Sequence, residues 1–248
     1  MLLSAIPQGS YKFSWTCLSL TGSEAFSFFH RQSSQDILSL RDQEGAWSAL
    51  LDEASKIVSV HFVVKDKEKL LLYVENSFVE KNLARLEKYI ITEDVELSIA
   101  KKEIVISFNP FCTSGFKSSL FGFPCFVDTD EEGKNEPLLW QYFQGHRLQS
   151  SILNETPYID LAYSKSKGCF LGQESVSKIE SHRGAAFKTT LIEILSGEIE
   201  NELRVEGKKI FDHIFFIAHN FYLVQLARDF RLIDETWSFD QISFKVHS

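Results

Sequence analysis

The stretch from Lys167 to Gly184 holds the side chains whose types and spacing best suit chemistry. Gly168 and Gly172 permit positive φ and close backbone approach. Gln173 and Glu174 are expected to open a helix running to about Glu180, at an end where the macrodipole favours a carboxylate. Cys169 then precedes a helix N-terminus beside Lys165 and Lys167, and both features favour the thiolate. The plainer reading is a glycine turn holding an inert thiol. Between 165 and 188, five basic residues (Lys165, Lys167, Lys178, Arg183 and Lys188) are opposed only by Glu174 and Glu180, in a chain of net charge −8. A basic island around a glycine turn suits a small anionic ligand carrying carboxylates or phosphate. A solvated basic face is the bland alternative.

Other chemistry finds less support. The glycines of 168–174 fail as a Walker A loop, which needs Gly-Lys-Ser/Thr where this chain has Gly172-Gln173-Glu174. The run Asp128 to Gly133 begins like a calcium loop, but Leu139 stands where a bidentate carboxylate is needed, so a solvated acidic turn is expected. No HxxxH or HExxH spacing and no Cys–His cluster supports zinc, so no metal site is expected. There is no GxSxG elbow. The acidic balance argues against nucleic acid and anionic membrane as partners. No apolar stretch approaches membrane-spanning length, and residues 1–10 lack a basic n-region, so a cytoplasmic chain with reduced cysteines is expected. Cys17, Cys112 and Cys125 sit among apolar or aromatic neighbours and read as buried small hydrophobes.

The elements that must position Cys169 read as mixed α and β. Strands are expected at 11–20, 46–51, 57–64, 69–75 and 95–108. Thr21–Glu24 and Ser77–Glu80 fit capping boxes, the first opening a helix through Phe28 and Phe29. Val79, Leu83, Leu86 and Ile90 recur at helical spacing. The glycines and prolines of 109–137 leave room only for short strands and turns, and a helical segment is expected at 138–148. Beyond Gly184 the texture turns to strands, at 186–195, 208–217, 221–228 and 241–246. Mixed α and β followed by β alone predicts an α+β fold in two parts, residues 1–185 and a small C-terminal β-domain, 186–248. The 22 phenylalanines read as aromatic-rich packing.

Lys167, Gly168, Cys169, Phe170, Gly172, Gln173 and Glu174, followed by Lys178 and Arg183-Gly184, resemble the signature of the YgfZ-type folate-binding proteins. Lys178 stands where that family usually has arginine. Residues 20–40 are similar to its opening Thr-Gly-x-acid helix and the Gln-x-x-x-Asp helix that follows. Asp52 to Lys56 resembles its Asp-x-x-Gly-Lys turn, with Ser55 in the glycine's place. The family is similar in turn to the T-protein of the glycine cleavage system. The resemblance implies two ferredoxin-like α+β units, the second trimmed by the short middle region 103–137, and a C-terminal β-barrel, all around a central channel that takes tetrahydrofolate. It also implies a part in iron–sulfur cluster assembly or repair, with iron–sulfur assembly proteins as partners and Cys169 as the active thiol. Lys167 and Arg183 would supply positive charge, and Gln173 and Glu174 would shape the turn. Where many members place a pterin-contacting glutamate, this chain has Phe143, which stacks on a pterin but cannot accept its N–H bonds.

Two other functions compete with this one. A folate-dependent aminomethyltransferase would carry a catalytic aspartate on the strand after the Asp52 turn, where this chain has Ser59 and Val60, neither able to stabilise a developing cation. The resemblance therefore implies an accessory role over an enzymatic one. The other reading is a scaffold that kept the fold and lost its ligand.

Overall fold

Strand β1 (Ser10–Thr21) alternates Tyr11, Phe13, Trp15 and Cys17 on one side with Leu18 and Leu20 on the other, and all six are buried. A strand whose two faces are both apolar must lie at the centre of a sheet covered on both sides. The structure is a computed structural model that describes residues 9–109, 111–120, 123–135, 151–182, 184–200, 202–218, 220–232, 235–239 and 242–247. In it β1 pairs antiparallel with β4 (Lys69–Glu75) and β5 (Glu96–Ser107). Together with β2 (Gly45–Leu51), β3 (Ile57–Asp66), β6 (Phe116–Leu120) and β7 (Phe123–Val127) they form one sheet in the order β2-β3-β4-β1-β5-β7-β6. The short β8 (Lys134–Asn135) pairs parallel with β1.

Helices α1 (Ala25–Gln32) and α2 (Val79–Glu87) cover one face through Phe28, Phe29 and Leu86, packed on Leu50, Val63, Leu70, Leu72 and Val74. The other face is aromatic. Trp15 meets Trp47 edge-on at 5.8 Å, Trp47 meets Phe62 at 5.5 Å, and Tyr73 meets Phe116 at 6.0 Å. Leu153, the short helix α3 (Ile159–Ala162), Phe170 and Val176 close this face. Aromatic residues bury large areas and pack at such offset geometries. Helix α4 (Gln173–His182) then leads to a second sheet, with strands β9 (Phe187–Gly197), β10 (Glu202–Val205), β11 (Lys208–Ala218), β12 (Phe221–Ala227), β13 (Thr236–Phe239) and β14 (Ile242–His247) in the order β10-β11-β12-β9-β14-β13. This sheet has its own core around Ile192, Phe211, Val224 and Phe244.

The mixed α and β reading stands, and the expected strands appear within a residue or two. Neither capping box forms. Thr21 remains in β1, and Glu24 occupies the α1 cap with no side-chain capping bond, its carboxylate accepting the Asp94 N–H at 2.8 Å. Asp94, on the turn before β5, instead accepts the Ser23 N–H and hydroxyl. A 3-10 turn at Asn76–Phe78 precedes α2, so Ser77 lies within it and donates to Glu75 instead of capping. The Gln32–Asp36 stretch is not a helix, because α1 ends at Gln32 and the chain then turns extended at Ser33. The helix expected at 138–148 lies outside the described residues. Among the described residues no helix is long and apolar enough to cross a membrane.

Candidate functional site

Glycine at 172 is required by its surroundings. Its φ is +81°, and a Cβ there would lie 2.4 Å from the Asp52 carbonyl oxygen and 2.7 Å from Leu51 Cβ. Gly168 differs from the expectation, since a Cβ built on it meets nothing within 4 Å and its φ is not positive. The glycine turn therefore hinges on Gly172 alone, and Gly172 presses the Cys169 loop onto the turn at 52–56. That turn is closed by Asp52, whose carboxylate accepts the N–H groups of Ala54 and Lys56 at 2.9 and 2.8 Å. An Asx turn of this kind favours aspartate, and Ser55 completes it at φ +65°, where glycine would sit without strain. Ser55 also adds a bond glycine could not: its Oγ accepts the Ser175 N–H in the first turn of α4, 120 residues away, at 3.3 Å.

A second seam joins the loop to the end of α1. The Lys167 ammonium donates to the carbonyls of His30 and Ser33, satisfying acceptors that a helix C-terminus leaves open. Leu171 N–H donates to Arg31 O at 3.2 Å, and Ser164 N–H to Ser34 O at 3.0 Å. Lys167 also lies 5.0 Å from the centre of the buried Phe170 ring, a cation–π contact. Burial pushes its ammonium down to about 8. Gln173 fastens the turn from the other side: its Oε1 accepts the Phe170 N–H, and its own N–H donates to Phe170 O.

Cys169 is exposed at the crest of this turn, while Cys17, Cys112 and Cys125 are buried as expected. Burial pushes the Cys17 thiol up to about 12. The two lysines expected beside Cys169 are engaged elsewhere, Lys167 with carbonyls and Lys165 with Glu180 at 3.1 Å. Lys188 pairs with Asp160 at 3.0 Å. Three of the five basic residues of the island are thus engaged, and two of them, Lys167 and Lys188, by partners outside the 165–188 stretch. Glu174 and Lys178 are exposed on α4. Arg183 and Phe143 lie outside the described residues.

The strand after the Asp52 turn carries Ser59, which donates to Asn82 Oδ1 at 2.7 Å beneath α2, and Val60, which joins the aromatic face. The acidic turn at 128–133 is less solvated than expected. Asp128 accepts the Tyr73 hydroxyl at 3.1 Å and pairs with Lys101. Glu131 accepts Ser107 and Asn109 at 2.7 and 3.1 Å. These carboxylates tie down the ends of β1, β4 and β5.

Several supporting residues escaped the sequence reading. Buried Ser34 donates to Ala162 O and accepts the Ala49 N–H at 2.8 Å, and Gln35 reaches Trp47 O and Leu161 O. Arg85 spans Gln32 Oε1 at 2.9 Å and Leu51 O at 3.2 Å. Their only signal was a polar run, Ser33-Ser34-Gln35, directly after an amphipathic helix.

No protein-family model matches the chain, and no curated protein matches its sequence. Among solved structures, the chain is similar to the crystal structure of the glycine cleavage system aminomethyltransferase T from Bartonella henselae, with a TM-score of 0.74 at 13% identity. The match covers 97% of this chain and 86% of that one. At this identity the likeness is one of fold.

Proposed function

We propose that this chain is a tetrahydrofolate-binding accessory protein that supports iron–sulfur cluster assembly or repair in the cytoplasm, with Cys169 as its working thiol. One observation carries the reading. The three stretches that resemble the YgfZ-type family in sequence, 20–40, 52–56 and 167–174, meet at one place, with Lys167 on the end of α1 and Gly172 on Asp52. Segments far apart in sequence that share a motif and a location point to a site. The spatial order β5-β1-β4-β3, with α1 and α2 on one face, supports a first ferredoxin-like unit. The second unit is trimmed, residues 186–248 are the β-barrel domain after the folate-binding region 1–185, and all are arranged around a central channel. By the resemblance, Phe143 would supply a stacking surface for a pterin and Arg183 a charge for its acidic tail. Cys169 remains open to solvent, as a nucleophile or redox thiol must. The fold likeness to an aminomethyltransferase favours a second reading, one-carbon transfer, but Ser59 and Val60 leave the expected position without a carboxylate.

Isothermal titration with tetrahydrofolate is expected to give a saturable isotherm, and silence at millimolar ligand overturns the binding claim in favour of a scaffold. In cells lacking their own copy, Cys169→Ala is expected to fail to restore iron–sulfur enzyme activity. Full rescue removes the thiol from the proposal. Measured transfer of a one-carbon unit from an aminomethyl donor would establish the second reading.

A further inference from the structure

We infer that the cleft at the C-terminal end of α4 is a separate anion-binding site that takes a doubly charged oxyanion, either a phosphate group or a dicarboxylate. The cleft has a volume of 460 Å³ and is lined by Lys178, Ile179, His182, Gly184 and Arg228. Three of these five residues are basic or protonatable, and among the described residues no carboxylate lines it. Two other cations of the 165–188 stretch are engaged away from its lining, Lys165 by Glu180 and Lys188 by Asp160. Among the described residues, neither Lys178 nor Arg228 forms an ion pair with a carboxylate. In a chain of net charge −8 this selective absence of counter-charge concentrates a local positive field where a concave surface can hold an anion.

The site is also shaped in advance. Arg228 Nη2 donates to Gly184 O at 2.5 Å and Nε to Ala185 O at 3.4 Å, which fixes an exposed guanidinium on the wall. A side chain already held loses little entropy when a ligand arrives. Arg231 donates to the same Ala185 carbonyl at 2.7 Å and locks that backbone. Gly184 adopts φ +70° with open space where a Cβ would project, so the floor stays clear. His182 Nδ1 donates to Lys178 O at 2.7 Å, which leaves Nε2 to donate to an anion when the ring is protonated. Cations near a helix C-terminus also complement its macrodipole, but that role requires neither concavity nor a lining without carboxylates. A ten-residue helix spans about 15 Å, so the cleft and Cys169 flank opposite ends of α4. The inference does not rest on the folate reading.

The test is an NMR titration of the whole chain at low ionic strength with inorganic phosphate in one arm and glutarate in the other. One arm is expected to saturate with a millimolar or tighter Kd, and which arm does so identifies the source of the oxyanion. Lys178→Glu and His182→Glu are each expected to weaken it about tenfold or more, a loss of about 1.4 kcal/mol. Lys165→Glu, whose lysine is already paired, should change it by less than about twofold. Failure of both arms to saturate overturns the site, as does equal weakening by Lys165→Glu, which would mark diffuse surface charge. Saturation by phosphate without any binding of tetrahydrofolate sinks the folate reading and leaves this site standing.

Discussion

A methyl group at Gly172 would have to share space with the Asp52 carbonyl oxygen 2.4 Å away, in a backbone at φ +81°. The clash is with main chain, which cannot swing aside as a flexible side chain does. Gly172→Ala is therefore expected to destabilise the protein by about 2–4 kcal/mol, by combining strain with overpacking. Gly168→Ala, in open space, should stay within about 0.5 kcal/mol of wild type. Urea unfolding of the two variants side by side measures both; equal losses would contradict the hinge at Gly172. The pair of glycines was legible in the sequence, but which of them needed to be glycine was not. That depends on Leu51 and Asp52, whose approach is a tertiary fact. Ser55 makes the same point from the opposite direction. It stands in glycine's backbone conformation, and its hydroxyl holds an α4 amide that no local pattern indicates.

At the scale of elements, period and composition located most strands, because the β-branched and aromatic runs of β3, β4 and β12 have few other ways to be buried. Short polar strands such as β10 and β13 left no such trace. Helix starts misled for a physical reason: Thr21 has the chemistry of a cap, but pairing with β5 holds it in β1, and strand pairing outranks a capping bond. Stability should follow the contacts actually made. Thr21→Ala is expected to change unfolding free energy by less than about 0.5 kcal/mol. Ser34→Ala should cost about 1–3 kcal/mol, because it strands the buried Ala49 N–H and the Ala162 carbonyl that Ser34 joins. Chemical denaturation of both, with circular dichroism as the readout, would contradict this account if the order of the two losses were reversed.

Across the whole molecule, the sequence showed where the longer strands lie far better than how they assemble. A single sheet runs from β2 to β6, and its aromatic face draws on residues from Tyr11 to Val176. Such long-range pairing has no local signal. The opposite face hides a group whose consequence is global. His61, on β3, is fully buried beneath α1 and α2. Its ring lies edge-on to Phe29 at 5.6 Å and its Nε2 has no partner. Burial holds its imidazole down to about 3, against 6.5 in an open chain. The unfolded chain therefore binds a proton below pH 6.5 that the folded one refuses, so stability is full above that pH and falls as the solution is acidified toward 3. One such group sets a limiting slope of about 1.4 kcal/mol per pH unit. The carboxylates held low, such as Glu131 among its serines, also lose stability in acid, but equally in any variant that keeps them. The difference between wild type and His61→Leu isolates the ring. At pH 7 the two should be comparable, with the variant losing a buried polar atom that has no partner. By pH 5 wild type should have lost about 2 kcal/mol more than the variant. Urea unfolding at both pH values decides the matter: parallel losses would mean that His61 accepts its proton in the folded state and that the α1–α2 face is open to water.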